Sequence, residues 1–194
     1  MRVNIKKVKK VDLKKYSPAL TEITVGLGWS TNDFMNGYPF DLDVSCFLLN
    51  QKGKYTRDVD MIFYNNLEHP SKAVIHTGDN RTGSDNDEDD EQIIINFSKM
   101  PEDIERVAFT VTIDDALRRK QNFGMVRKAY IRLIDNSTQK ELLRYNLEEE
   151  FSVETALVVA EVYKKDNSWQ FNAIGEGFRG GLESLCENYG LDVE

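Results

Sequence analysis

The sequence predicts an all-β protein, a β-sandwich of mostly antiparallel sheets that carries one or two short helices. About ten short segments are rich in Val, Ile, Leu, Phe and Tyr, and several alternate apolar with polar residues at the period of a half-buried strand. Residues typical of turns, mainly Gly, Asn, Asp and Pro, separate these segments. A chain of 194 residues suits one domain, and we take residues 1–194 as a single unit with a core of its own.

The strands are predicted in chain order at residues 3–5, 6–15, 23–27, 42–48, 61–64, 74–76, 93–97, 107–113, 129–134, 142–147, 155–163 and 169–173. Residues 31–39 are predicted to form a loop. Residues 101–103 suit a short helical turn, and Asp114 is expected to cap a helix at residues 115–121. Leu182, Leu185 and Tyr189 lie on one face of a terminal helix that Gly190 ends.

The segment that begins at Asp41 has the clearest alternation. Leu42, Val44, Cys46 and Leu48 share one face, whereas Asp41 and Asp43 lie on the other. The pattern therefore predicts two neighbouring carboxylates at the start of a strand.

Composition excludes several classes of function. The net charge of −8 argues against nucleic-acid binding, which needs a basic face, and leaves membrane association possible only indirectly, through bound cations. The sequence shows no signal peptide and no apolar stretch long enough to span a membrane, so we expect a cytoplasmic protein. Cys46 and Cys186 are expected to be small core residues rather than a disulfide.

Residues 74–95 contain the most unusual feature, six carboxylates within residues 85–91. One interpretation is a solvated acidic loop between two strands, and the other is a site for a hard divalent cation. The spacing of Asp85, Asp87 and Asp89 resembles the start of an EF-hand. The EF-hand pattern then fails, because Asp90 replaces the required Gly and Asn96 the required Glu.

A cation site on strand-connecting loops remains possible, and Asp41 and Asp43 are the second source of carboxylates. Calcium suits this ligand set because it takes six to eight oxygen ligands. Zinc prefers Cys and His, and neither His69 nor His76 is spaced to pair with another ligand. Magnesium would use only one or two of the acids.

Catalytic interpretations have little support, because the common nucleophile, phosphate-loop, dinucleotide and zinc-protease motifs are absent. His76 and Asp79 could serve a metal-assisted hydrolase, but a histidine hydrogen-bonded to backbone at a strand end is the favoured interpretation. Residues 175–177 are predicted to form a turn, residues 114–115 to cap a helix, and residues 118–120 to form a solvated helix face.

Several motifs along the chain resemble the TerD family of tellurium-resistance and stress-response proteins. The resemblance covers about residues 11–190, in the family's order. The residues that carry it are Gly26-Leu27-Gly28-Trp29, Asp41-Leu42-Asp43-x-Ser45-x-Phe47-Leu48-Leu49, His76-x-Gly78-Asp79-Asn80-Arg81-Thr82-Gly83, Asp89-Asp90-Glu91, Gln121-Asn122-Phe123-Gly124, Tyr130-Ile131-Arg132, Glu154-Thr155-Ala156 and Gly180-Gly181-Leu182.

The resemblance implies a β-sandwich that binds two calcium ions and has no enzyme activity. The positions that match the family's motifs are Asp41, Asp43, Asp79, Asn80, Gly83 (through its carbonyl), Asp89, Asp90 and Glu91. Family members commonly have a glycine-rich spacer where this chain has residues 84–88. Asp85 and Asp87 are therefore both candidate ligands, and which of them binds the ion stays open.

Together these observations predict a non-enzymatic calcium-binding protein of the tellurite and chemical stress response, a calcium-ordered module that binds a protein partner as yet unidentified. The alternative is a metal-dependent hydrolase or phosphoryl-handling enzyme that uses the same acidic site.

Overall fold

The computed structural model describes residues 3–4, 10–30, 38–84, 88–147, 151–166 and 168–191. In chain order, this part of the protein contains β1 (Val3–Asn4), β2 (Lys10–Asp12), α1 (Leu13–Tyr16), β3 (Glu22–Gly28), β4 (Leu42–Leu49), β5 (Met61–Ile62), β6 (Val74–His76), β7 (Glu91–Asn96), β8 (Arg106–Ile113), α2 (Ala116–Arg119), β9 (Tyr130–Asp135), β10 (Lys140–Asn146), β11 (Ala156–Lys165), β12 (Ser168–Phe178) and α3 (Gly181–Tyr189).

The strands form two six-stranded sheets, as the all-β prediction requires. The first sheet has the order β1-β10-β9-β3-β7-β6, and the second has the order β2-β12-β11-β8-β4-β5. Every strand pair is antiparallel except β1 with β10. The predicted fold class is thus confirmed, with two sheets, mostly antiparallel strands and few short helices.

The main core lies between the sheets and follows from strand alternation. In β4, the predicted apolar face of Leu42, Val44, Cys46 and Leu48 is fully buried in this core. In β7 buried and half-buried residues alternate, and Ile93 and Ile95 point into the same core. Burying one such side chain contributes roughly 1.5–3 kcal/mol, so alternation fixes which face of each strand points inward.

A second apolar cluster covers the outer face of the second sheet. Phe47 of β4 packs against Tyr189 of α3 with ring centroids 4.7 Å apart, and Leu185 and Cys186 complete the helix face. Both cysteines are buried and free, which confirms the prediction that they are core residues. Because α3 covers only part of this sheet face, the end of the sheet near Asp43 stays open to a cleft.

Two glycines of β3 leave room for large side chains from neighbouring strands. A Cβ atom on Gly26 would collide with the carboxylate of Asp89, and one on Gly28 would collide with the ring of Tyr130. The Gly-x-Gly spacing thus allows the acidic segment to pack directly over β3.

Two local predictions are wrong. Residues 175–177 belong to β12 instead of a turn, and Glu176 and Gly177 pair with β11 beyond a register shift between Val158 and Ala160. Helix α2 is only four residues long, and Asp115, rather than Asp114, is its N-cap, in a left-handed conformation that makes no side-chain cap bond. The predicted turn at residues 101–103 is present, closed by a hydrogen bond from the N–H of Ile104 to the carbonyl of Pro101 at 3.2 Å.

The predicted strand at residues 6–15 ends earlier than expected, since α1 begins at Leu13 directly after β2. Residues 5–9 and 31–37, within the first predicted strands and the predicted loop, lie outside the described residues. Within the described part of the chain, no helix has the length and apolarity needed to cross a membrane.

Candidate metal centre

Three carboxylates meet at one end of the second sheet. Asp41, Asp43 and Asp79 each direct an oxygen into a common space, and these oxygens lie within 4.8 Å of one another. Asp41 and Asp43 are more than nine-tenths buried, whereas Asp79 is exposed at the rim. The two acidic segments that the sequence singled out therefore converge in space.

The pairing of β4 with β8 fixes the first half of the cluster. Leu42 pairs with Ile113, so the residues just before and after them also face each other. The backbone N–H of Asp114 donates to the carbonyl of Asp41 at 2.9 Å. This bond holds the start of β4 and brings the carboxylate of Asp114 to the edge of the site.

Glu91 joins the two halves of the cluster. Its Oε2 accepts a hydrogen bond from the N–H of Val44 at 2.7 Å, and its Oε1 accepts one from the N–H of Asn80 at 3.1 Å. The residue is 1% exposed. Glu91 therefore fixes the position of the loop that carries Asp79 relative to β4, at the residue that follows Asp43.

Asp90 and Asn80 brace the same loop. Asp90 accepts hydrogen bonds from the N–H of Trp29 at 2.9 Å and from the side-chain amide of Asn80 at 3.2 Å. The Asn80 amide oxygen in turn accepts from the N–H groups of Thr82 and Gly83. These predicted ligands lie beside the cluster and use their polar atoms to shape the loop.

Asp89 is directed away from the cluster. Its carboxylate pairs with Arg132 at 2.7 Å and accepts hydrogen bonds from Tyr130 and Gln92 on the first sheet. Nothing in this arrangement brings its oxygens to the group formed by Asp41, Asp43 and Asp79. The remaining predicted ligands, Asp85 and Asp87, lie outside the described residues.

Burial and repulsion both disfavour the charged forms of the clustered acids. Burial, followed by the charges of Asp114 and Asp79, raises the pKa of Asp41 to about 6. Burial, followed by the charges of Glu91 and Asp41, raises the pKa of Asp43 to about 8. A bound divalent cation would offset this cost, since it adds positive charge where carboxylates outnumber the cationic side chains.

The cleft above the cluster includes four residues that the sequence did not assign to it. Its volume is about 280 Å³, and Tyr64, Arg81, Asp114 and Arg119 line it together with the three carboxylates. Arg119 was predicted to lie on a solvated helix face, but its side chain is only 16% exposed and donates to Asp114 at 2.9 Å. Only the β4–β8 register could have revealed this placement, because Asp114 and Arg119 are far from Asp41 in sequence.

His76 is bound to backbone groups, as the favoured interpretation expected. Its Nδ1 accepts a hydrogen bond from the N–H of Gly78 at 3.1 Å, which leaves the proton on Nε2. Nε2 lies 3.1 Å from the carbonyl oxygen of Val44 and 3.6 Å from Glu91. The histidine thus connects β6 to β4 and supports the position of Glu91.

The three carboxylates fit a hard cation. Calcium–oxygen distances of about 2.3–2.6 Å place opposite ligands of one ion about 5 Å apart, which matches the spread of these oxygens. Asp41 Oδ1 is buried and has no hydrogen-bond partner among the described residues. A buried oxygen without a partner is costly, and a cation would satisfy it.

The two sheets and the carboxylate cluster define the protein as a β-sandwich with a candidate cation site. The chain belongs to the TerD domain family, whose model matches residues 1–189. It is 46% identical to General stress protein 16U of Bacillus subtilis (strain 168) and 45% identical to Tellurium resistance protein TerD of Alcaligenes sp., each over 193 residues and the full length of both chains.

A solved structure shows the same fold. The crystal structure of a homologue of telluride resistance protein (TerD) from Streptomyces coelicolor A3(2) superposes with a TM-score of 0.71 at 21% identity, covering 90% of this chain and 100% of the other. The resemblance to a tellurium-resistance and stress-response family is therefore confirmed by sequence, and the sandwich by structure.

Proposed function

We propose that this chain is a calcium-binding protein of the tellurite and chemical stress response and that it works without catalysis of its own. The observation that carries the proposal is the convergence of Asp41, Asp43 and Asp79, with an unpartnered buried oxygen on Asp41. Relatives named for tellurium resistance and general stress supply the cellular role.

Calcium is the favoured ion because the cluster offers oxygen donors only. The nearby imidazole of His76 uses both ring nitrogens on backbone groups, so it is not available as a zinc ligand. The cluster supports one ion. The second ion that the family resemblance implies would draw on Asp85 or Asp87, beyond the described residues.

Calcium in this cleft orders a surface that a protein partner recognises in the cytoplasm. Tyr64 lines the cleft and is 43% exposed, and Leu117 stands beside it at 79% exposed. Exposed apolar side chains at a charged rim are typical of interaction surfaces. The partner is another component of the stress response.

The proposal is tested by thermal unfolding in calcium and in a chelator. Calcium at about 100 times its dissociation constant stabilises the folded state by about 2.7 kcal/mol, which raises Tm by roughly 5–10 °C for a chain of this size. The Asp43→Asn variant is expected to lose this shift. Without calcium it should melt no lower than wild type, because the substitution removes a buried acid whose ionisation is disfavoured by burial and by neighbouring carboxylates.

Asp166→Asn is the matched control. Asp166 is exposed and sits in the β11–β12 turn with φ 49°, which Asn tolerates, at the opposite end of the sheet from Asp43. This variant should keep the full calcium shift. Equal melting of wild type in calcium and in chelator would rule out the proposal.

A further inference from the structure

The cleft that holds the carboxylate cluster also has a cationic wall. Arg119 donates from Nη2 to Asp114, and its Nη1 lies 3.9 Å from Asp41 Oδ2. Its Nε and Nη1 are buried and have no hydrogen-bond acceptor among the described residues. Arg81 pairs with Asp79 at 3.1 Å and lines the same cleft.

A guanidinium beside a cation site needs a reason. The positive charge of Arg119, which lines the cleft, repels a divalent ion held by Asp41. A ligand with several negatively charged oxygens resolves this conflict, because some oxygens bind the cation and others face the guanidinium. The planar fork of arginine suits phosphate in particular.

The cleft has room for such a ligand. A water molecule occupies about 30 Å³ in the liquid, so a volume of about 280 Å³ holds an ion and several further ligand atoms. Calcium takes six to eight oxygen ligands. The three carboxylates, of which Asp79 is also paired with Arg81, leave coordination positions of the ion to be filled.

An adjoining pocket of about 230 Å³ extends the site. It shares Asp43, Tyr64 and Asp114 with the cleft and adds the apolar side chains of Leu117 and Leu182. The two spaces together offer a charged part for a phosphate group and a partly apolar part for an organic group.

We infer that the cleft binds a small phosphate monoester together with the cation, with Arg119 as the residue that recognises the phosphate. This inference rests on the proposed calcium site and adds a ligand class to it. Cation and phosphate bind cooperatively, because each supplies part of the other's coordination and counter-charge.

The test is calorimetric titration of phenyl phosphate into the full-length protein, with calcium and without it, after calcium binding itself has been measured. Wild type should bind phenyl phosphate at least about tenfold more tightly in calcium than in chelator. Arg119→Gln should lose about tenfold or more in phosphate affinity, as expected for loss of a charged hydrogen-bond donor.

Arg118→Gln is the matched control, since Arg118 is 69% exposed, pairs with Asp115 and does not line the cleft. It should bind phenyl phosphate like wild type. Unfolding curves of both variants separate a binding defect from a folding defect.

Each remaining outcome decides the matter. If calcium binds and phenyl phosphate does not, or if it binds equally well without calcium or to Arg119→Gln, the inference is overturned and the calcium site stands. If calcium itself fails to bind wild type, the proposed function falls and this inference falls with it.

Discussion

Replacing Glu91 with Gln tests how the two halves of the candidate metal centre are held together. The Glu91 carboxylate accepts from the N–H of Val44 at 2.7 Å and from the N–H of Asn80 at 3.1 Å in a site that is 1% exposed. The amide oxygen of Gln can accept one of these bonds, but its NH₂ group would face the other N–H. One buried backbone donor is then left without an acceptor.

The magnitude follows from these contacts. Losing a charge-assisted hydrogen bond and leaving its donor unpaired costs on the order of 2–4 kcal/mol. Relief of the repulsion between Glu91 and Asp43 offsets about 1 kcal/mol of this in calcium-free protein. We therefore expect Glu91→Gln to lower the free energy of unfolding by about 2 kcal/mol without calcium.

Calcium affinity should also fall, by about tenfold to a hundredfold, as is common when a residue that orients metal ligands is changed. Urea unfolding in chelator measures the first effect, and calcium titration at a temperature where the variant is folded measures the second. Glu176→Gln, at an exposed position on β12, should change neither quantity. A Glu91→Gln protein with wild-type stability and calcium affinity would refute the positioning role.

Three further predictions concern residues outside the cluster. Burial favours a higher pKa for Asp135, but hydrogen bonds from Ser17 and other hydroxyl groups outweigh it and lower the pKa to about 2. Because the folded-state pKa is depressed, Asp135 contributes stability above pH 4. We expect wild type to lose about 2 kcal/mol from this group as pH falls from 4 to 2, and Asp135→Asn to lack this loss in urea titrations at each pH. Asp89→Asn should weaken the ion pair with Arg132 yet change calcium affinity less than threefold by calorimetry, about 0.6 kcal/mol; a larger loss would place Asp89 among the ligands. Tyr189→Ala should reduce the free energy of unfolding by about 3 kcal/mol in urea, because it empties the contact between α3 and the sheet, and an unchanged midpoint would contradict that packing.

Strand alternation predicted most of the fold because each strand must bury one face. The alternation that begins at Asp41 correctly placed Val44 and Cys46 in the core and Asp43 on the opposite face. The prediction failed at residues 175–177, where two glycines and a register shift lie inside a long strand. Whether such residues form a bulge within a strand depends on pairing with the neighbouring strand. The local sequence alone, with its two glycines, is typical of a turn.

The acidic segments predicted which parts of the chain meet better than they predicted which side chains meet. Asp41, Asp43 and Asp79 do converge, but Asp89 pairs with Arg132 across the first sheet. A run of neighbouring acids looks uniform in sequence, whereas alternation along a strand sends adjacent side chains in opposite directions.

Arg119 shows a different limit. In sequence it belongs to a basic run on a short helix, which is typical of a solvated surface. Its burial beside Asp114 depends on how β8 ends opposite the start of β4, and this tertiary pairing is not encoded in the local pattern.

Calcium titration by calorimetry on wild type, Asp79→Ala and the Asp166→Asn control shows whether the three carboxylates hold an ion. We expect wild type to bind calcium saturably with at least one ion per chain. Asp79→Ala should lose one site or at least about tenfold in affinity, and the control should not change. Wild-type protein that shows no calcium binding, or an Asp79→Ala variant that binds calcium like wild type, would contradict the proposed calcium site.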